Sequence, residues 1–125
     1  LDISLIHAKV PAEGDRLMDV ILEKMCAEDR YKSRRLIATV DHLLFAKRDH
    51  GSDDYNTIVD SIPLHEISKV FLAEDNTVVE MTTIHGGWNS GRPYVLRMDT
   101  DLDPHALEVL KEDLKTLVTK ATWRE

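Results

Sequence analysis

Arg30, Lys32, Arg34 and Arg35 crowd the start of an apolar segment, Leu36-Ile37-Ala38-Thr39-Val40, that reads as a strand. Several cations converging on one loop can neutralise a multiply charged phosphate, and an arginine can grip it bidentately. Such a basic rim at the open end of a small β-barrel can hold an anionic head group. Other chemistries find no matching pattern. The six histidines (His7, His42, His50, His65, His85 and His105) are scattered, without closely spaced ligand pairs, so no metal site is expected. Asp49, Asp53, Asp54 and Asp60 lack the order of a calcium loop and read as a solvated loop. Ser33, Ser52, Ser61, Ser68 and Ser90 show no nucleophile elbow. No phosphate-cradling glycine loop joins a strand to a helix. Catalytic residues and cofactors are therefore not expected.

The basic cluster needs a frame to present it. Arg16 to Asp29 fits two patterns: Leu17, Val20, Ile21 and Met25 fall at helical spacing, yet Val20-Ile21-Leu22 leans to a strand, which is the expectation taken here. Strands then follow at RRLIATV, LLFAKR and TIVDSIPL, with a tight turn at Asp41-His42 and a polar loop, DHGSDDYN. Pro63 marks a strand end or a sheet edge. SKVFLAE and TVVEMTTI flank Glu74-Asp75-Asn76, a hairpin turn, and PYVLRMD follows the loop HGGWNSGR. Near the end the period changes. Leu107, Leu110, Leu114, Leu117 and Ala121 form one apolar helical stripe, with Asp103 as N-cap and Pro104 in the first turn. Such a helix should cover an open end of the preceding antiparallel sheet or barrel.

Size and charge limit the class. At 125 residues, 42% hydrophobic and 31% charged, the chain suits one globular domain with a core of its own. A net charge of −7 argues against nucleic-acid binding, but the charges are unevenly placed. No apolar run reaches the ~20 residues that span a bilayer, so membrane contact would be peripheral. The chain starts at Leu1 without a visible signal peptide, and a lipidation or targeting segment could lie outside it. Cys26 has no partner for a disulfide, which fits a cytoplasmic setting; its apolar surroundings suggest a buried thiol.

Several strands closed by one helix is the order of pleckstrin-homology (PH) domains, and local segments resemble them. Val20-Ile21-Leu22-Glu23-Lys24 looks like their first strand, and the run from Tyr31 to Asp41 is similar to their second, basic at its start. His42 to Lys47 would be the third, and Asp60-Ser61-Ile62-Pro63-Leu64-His65-Glu66-Ile67 is similar to an IPL-x-x-I segment. Trp88-Asn89-Ser90-Gly91-Arg92-Pro93-Tyr94 resembles a segment of PH-like domains from microbial eukaryotes. The likeness covers about 17–123. It implies a bent antiparallel β-sandwich or partly open barrel capped by a helix, spanning 17–125, with 1–16 as an arm or leading strand. The first strand lacks the usual glycine before its apolar pair. No tryptophan falls mid-helix, since Trp123 lies near the end.

The resemblance also implies function. Phosphoinositide-binding PH domains carry a Lys on the first strand and a basic-x-Arg pair on the second, which Lys24, Lys32 and Arg34 match; Arg35 and Lys47 could join them. The expectation is a non-catalytic module that recruits its parent protein to a membrane through an anionic phospholipid head group. The same cations would also serve as solvated charges that block edge-to-edge strand pairing, and Glu28 and Asp29 oppose a positive field there. The alternative is a protein-interaction module. Trp88, with Arg92 beside it, could anchor a partner or enter a membrane interface, or else pack over the barrel mouth.

Overall fold

The structure is a computed structural model that describes residues 10–28, 30–84, 91–98 and 103–123. Seven strands and one helix account for most of them: β1 (Met18–Ala27), β2 (Arg30–Ala38), β3 (His42–Lys47), β4 (Thr57–Pro63), β5 (Ile67–Ala73), β6 (Val78–Thr83), β7 (Tyr94–Arg97) and α1 (Ala106–Trp123). They form one antiparallel sheet in the spatial order β4-β3-β2-β1-β7-β6-β5. The ambiguous segment after Arg16 is thus a strand, and Pro63 ends β4 at the edge of the sheet.

The sheet bends over a single main core. Leu22, Leu36, Phe45 and Ile62 from its first half share that core with Val70, Val79 and Met81 from its second. Burying each large apolar side chain contributes roughly 1.5–3 kcal/mol, which makes this cluster the main source of stability. Leu107, Leu110, Leu114 and Ala121 of α1 enter the same core, with Leu117 packed against it. The expected stripe is therefore the buried face of the helix, which packs on β5, β6 and the 3-10 turn Leu64–Glu66. Asp103 caps the helix: its Oδ1 accepts the His105 backbone N–H at 2.9 Å, and its carbonyl accepts that of Ala106 at 3.1 Å.

Alternation along the strands defines two faces. Cross-strand partners Val20↔Leu36 and Met18↔Ala38 point to the main core. The intervening Ile37 points outward, where it forms a smaller cluster with Leu44 and Ile58. Val10, within the segment expected to be an arm, packs against that outer cluster.

Tight connections set the register. Thr39 Oγ1 accepts the His42 N–H at 3.2 Å and donates to Asp41 Oδ1 at 3.1 Å, closing the β2–β3 turn as expected. Glu74, Asp75 and Asn76, at φ of 51°, 57° and 65°, make the β5–β6 hairpin with three successive left-handed residues. Thr77 Oγ1 secures it by donating to the Glu74 carbonyl at 2.6 Å.

Bulges change what two residues do. Cys26 was expected to be buried, but it is exposed. The register runs Met25↔Tyr31 and then Ala27↔Arg30, so Cys26 is the extra residue of a bulge near the β1–β2 hairpin. It lies beyond the part of β1 that faces the core, where an apolar run no longer implies burial. A second bulge lies in β4, where Phe45 pairs with Asp60 but Ala46 pairs with Ile58. Val59 is the extra residue. It lets Ile58 join the outer cluster while Asp60 turns to the inner face, so Asp60 lies in the strand expected at TIVDSIPL and not in the solvated loop with which it was also grouped.

Candidate functional site

Register brings the matched cations together. Lys24 is the direct partner of Lys32, and Arg34 is the partner of the core residue Leu22. Lys24, Lys32 and Arg34 therefore lie on the inner face, beyond the rung where the core ends. Lys47 follows Leu43 and Phe45 on the same face of β3. Arg35 is not part of this group. It alternates to the outer face, where its Nε and Nη2 donate to Asp19 at 2.7 and 2.6 Å and its Nη1 donates to the Tyr55 carbonyl at 3.1 Å.

The four inner cations differ in their surroundings. Lys24 is only 14% exposed, and its Nζ lies 3.7 Å from Asp60 Oδ2. That ammonium also sits 5.6 Å above the ring of Phe45 and 5.1 Å above that of Tyr94, which stack on each other at 5.3 Å. Tyr94 Oη donates to Asp60 Oδ2 at 3.1 Å, and the Ser61 N–H is held by Asp60 Oδ1 at 2.8 Å. Lys32 and Arg34 form no ion pair with a carboxylate among the described residues. Lys47 forms none either, although its charge helps to lower the Asp49 carboxyl, after the hydrogen bonds from Thr57 and the Asn56 backbone. Asp49 itself braces the β3–β4 loop by accepting from Thr57 Oγ1 at 2.8 Å.

An open cleft of about 280 Å³ adjoins this cluster, lined by Lys24, Cys26, Glu28, Asp60, Arg92 and Tyr94 among others. Arg92 is exposed there, and its carbonyl accepts a 2.7 Å bond from Thr83 Oγ1. Trp88 and Asp29 lie outside the described residues. Asp60, Phe45 and Tyr94 were not among the expected site residues. The signal for Asp60 was available: it is a charged residue, two from Ile62, in a strand whose other members are uncharged. Reading it needed the position of the bulge, which sequence does not show.

A second cleft, of about 310 Å³, lies between β1 and α1, lined by Met18, Val20, Met98, Val109 and Leu110 with Asp19, Asp103 and Asp113 also on its walls. Among the described residues, no three His, Cys, Asp or Glu side chains gather as a metal site. No helix among them is long and apolar enough to cross a membrane.

The architecture has counterparts among solved structures. The chain is similar to the Slm1 PH domain in complex with inositol 4-phosphate, at 16% identity and a TM-score of 0.63, covering 87% of this chain and 99% of that one. It is similar to the carboxyl-terminal PH domain of pleckstrin at 17% identity and a TM-score of 0.61, covering 82% and 97%. It also matches PDZ-RhoGEF DH/PH domains in complex with activated RhoA, at 14% identity and a TM-score of 0.63; there it covers 84% of this chain but spans only 29% of the other. No protein-family model and no curated protein matches the sequence. At these identities the likeness concerns architecture: the chain has a PH-like fold, an open bent sheet with one C-terminal helix.

Proposed function

We propose that this domain is a non-catalytic recognition module that recruits its parent protein to a membrane surface by binding an anionic phospholipid head group of the phosphoinositide type. Lys32, Arg34 and Lys47 are the direct ligands in this reading, with Lys24 behind them. One observation carries it: Lys24 and Lys32 are direct cross-strand partners, with Arg34 on the same face. Asp60 offsets the charge of Lys24, which leaves Lys32 and Arg34 as adjoining cations for a phosphate, to which the arginine can add two directed hydrogen bonds. Arg35 has its own carboxylate and is not a ligand in this reading. The structural likeness to the Slm1 PH domain, which was solved in complex with inositol 4-phosphate, supports this reading.

The test is cosedimentation with phosphatidylcholine vesicles containing phosphoinositides. The wild type should be retained at low salt. Lys32→Glu with Arg34→Glu should weaken retention by about 100-fold, since each reversal replaces an attraction by a repulsion of about 1 kcal/mol or more. A folded wild type that stays in the supernatant on every anionic vesicle would end the reading.

A protein partner is the second reading. It is favoured by exposed apolar side chains, Ile21 at 49% and Val109 at 55% among them, and by the net charge of −7.

A further inference from the structure

We infer that Asp60 sets the charge class of the ligand: the site takes a head group with one phosphomonoester in preference to those with two or three. This rests on the head-group reading above. Among the described residues, the inner face offers three cations without a carboxylate partner, Lys32, Arg34 and Lys47. The fourth, Lys24, is already matched by Asp60 at 3.7 Å and held over two aromatic rings. Asp60 is fixed in turn, because Tyr94 Oη and the Ser61 N–H hold its two oxygens. A phosphomonoester carries a charge of about −1.5 to −2 near neutral pH, and the phosphodiester of a lipid adds about −1. One of each therefore balances the three unmatched cations. A further phosphomonoester would meet a neutralised lysine and its anchored carboxylate, in a cleft where the charge of Arg92 is offset by that of the exposed Glu28.

The role of Asp60 is electrostatic, so charge and shape can be separated. Asp60→Asn keeps an oxygen acceptor for Ser61 or Tyr94 and frees the charge of Lys24. Combining it with Lys24→Gln restores the neutral sum of the pair. The probes are phosphatidylcholine vesicles doped with a phosphatidylinositol mono-, bis- or trisphosphate, and circular dichroism confirms that each variant is folded. The wild type should bind the monophosphate vesicles at least as tightly as the others. Asp60→Asn should gain about fivefold or more on the bis- and trisphosphate vesicles, the scale of one unit charge a few ångströms away. The double variant should return to the wild-type ranking. Wild-type affinity that climbs with each added phosphate and is unchanged in Asp60→Asn overturns the inference while leaving head-group binding intact. If no variant is retained on any vesicle, the underlying reading fails and the inference falls with it.

Discussion

Arg34 and Arg35 are neighbours on β2, yet they belong to different parts of the molecule. Arg34 faces inward beside Leu36 and the Lys24↔Lys32 pair, and no carboxylate meets it among the described residues. Arg35 faces outward and holds Asp19 with both ends of its guanidinium fork, while Arg16 grips the same carboxylate at 3.1 Å. The outer face repeats the arrangement on β7, where Arg97 donates to both Glu23 oxygens at 3.1 and 3.3 Å and lies 3.8 Å above the Tyr31 ring. Outer-face arginines are thus matched within the fold, whereas inner-face cations are gathered with less compensation. A run of basic residues on one strand is two sets, separated by the two-residue period of the chain.

The largest effect should come from the helix that holds both faces in place. Leu114 is completely buried at the centre of the apolar stripe. Leu114→Asp forces a carboxylate into that core and should cost more than about 4 kcal/mol, enough to unfold a domain of this size. Loss of the cooperative melting transition is the expected readout. A variant that keeps wild-type melting would remove the assigned packing, and with it the frame for both sets of cations.

A smaller effect should separate the two faces. Arg35→Ala removes the outer-face clamp and should lower stability by about 1–2 kcal/mol, as for a directed ion pair that is partly shielded from water. Vesicle retention should stay at the wild-type level, in contrast to the inner-face charge reversal. The same clamp fixes the direction of a pH effect. The hydrogen bond from Arg35, aided by its charge and that of Arg16, holds the Asp19 carboxyl below its ordinary value of 3.8, against the opposing effect of burial. A depressed carboxylate stabilises the fold fully above its unfolded-state value and loses that contribution as pH falls through the folded-state value. Urea melts should therefore show a decline in wild-type stability below about pH 4 that is shallower in Arg35→Ala. Equal slopes would mean that Asp19 and Arg35 are not coupled.

Much of the frame was legible in the sequence because its signals are local. The period-two strands, the Thr39–Asp41 turn, the Glu74–Asn76 hairpin and the 3.6-residue stripe of α1 each follow from neighbouring residues. The inner grouping of Lys24, Lys32 and Arg34 needed register, which the resemblance supplied and local pattern could not. Arg35 was grouped with them because nearness in sequence hides the change of face. Cys26 and Asp60 were misread for one shared reason, since each lies at or beside a bulge that alters strand alternation. An inserted residue leaves almost no trace in composition, because its position depends on the partner strand.

The central claim is that the inner-face cations, and not those outside, hold the anionic group. An amide NMR titration with a soluble inositol monophosphate tests it most directly. The expected result is saturable shifts centred on Lys24, Lys32, Arg34 and Lys47, with Arg97 and the α1 groove around Val109 unmoved. Shifts centred on that groove or on the outer arginines, or no saturable shift at low salt, would contradict it.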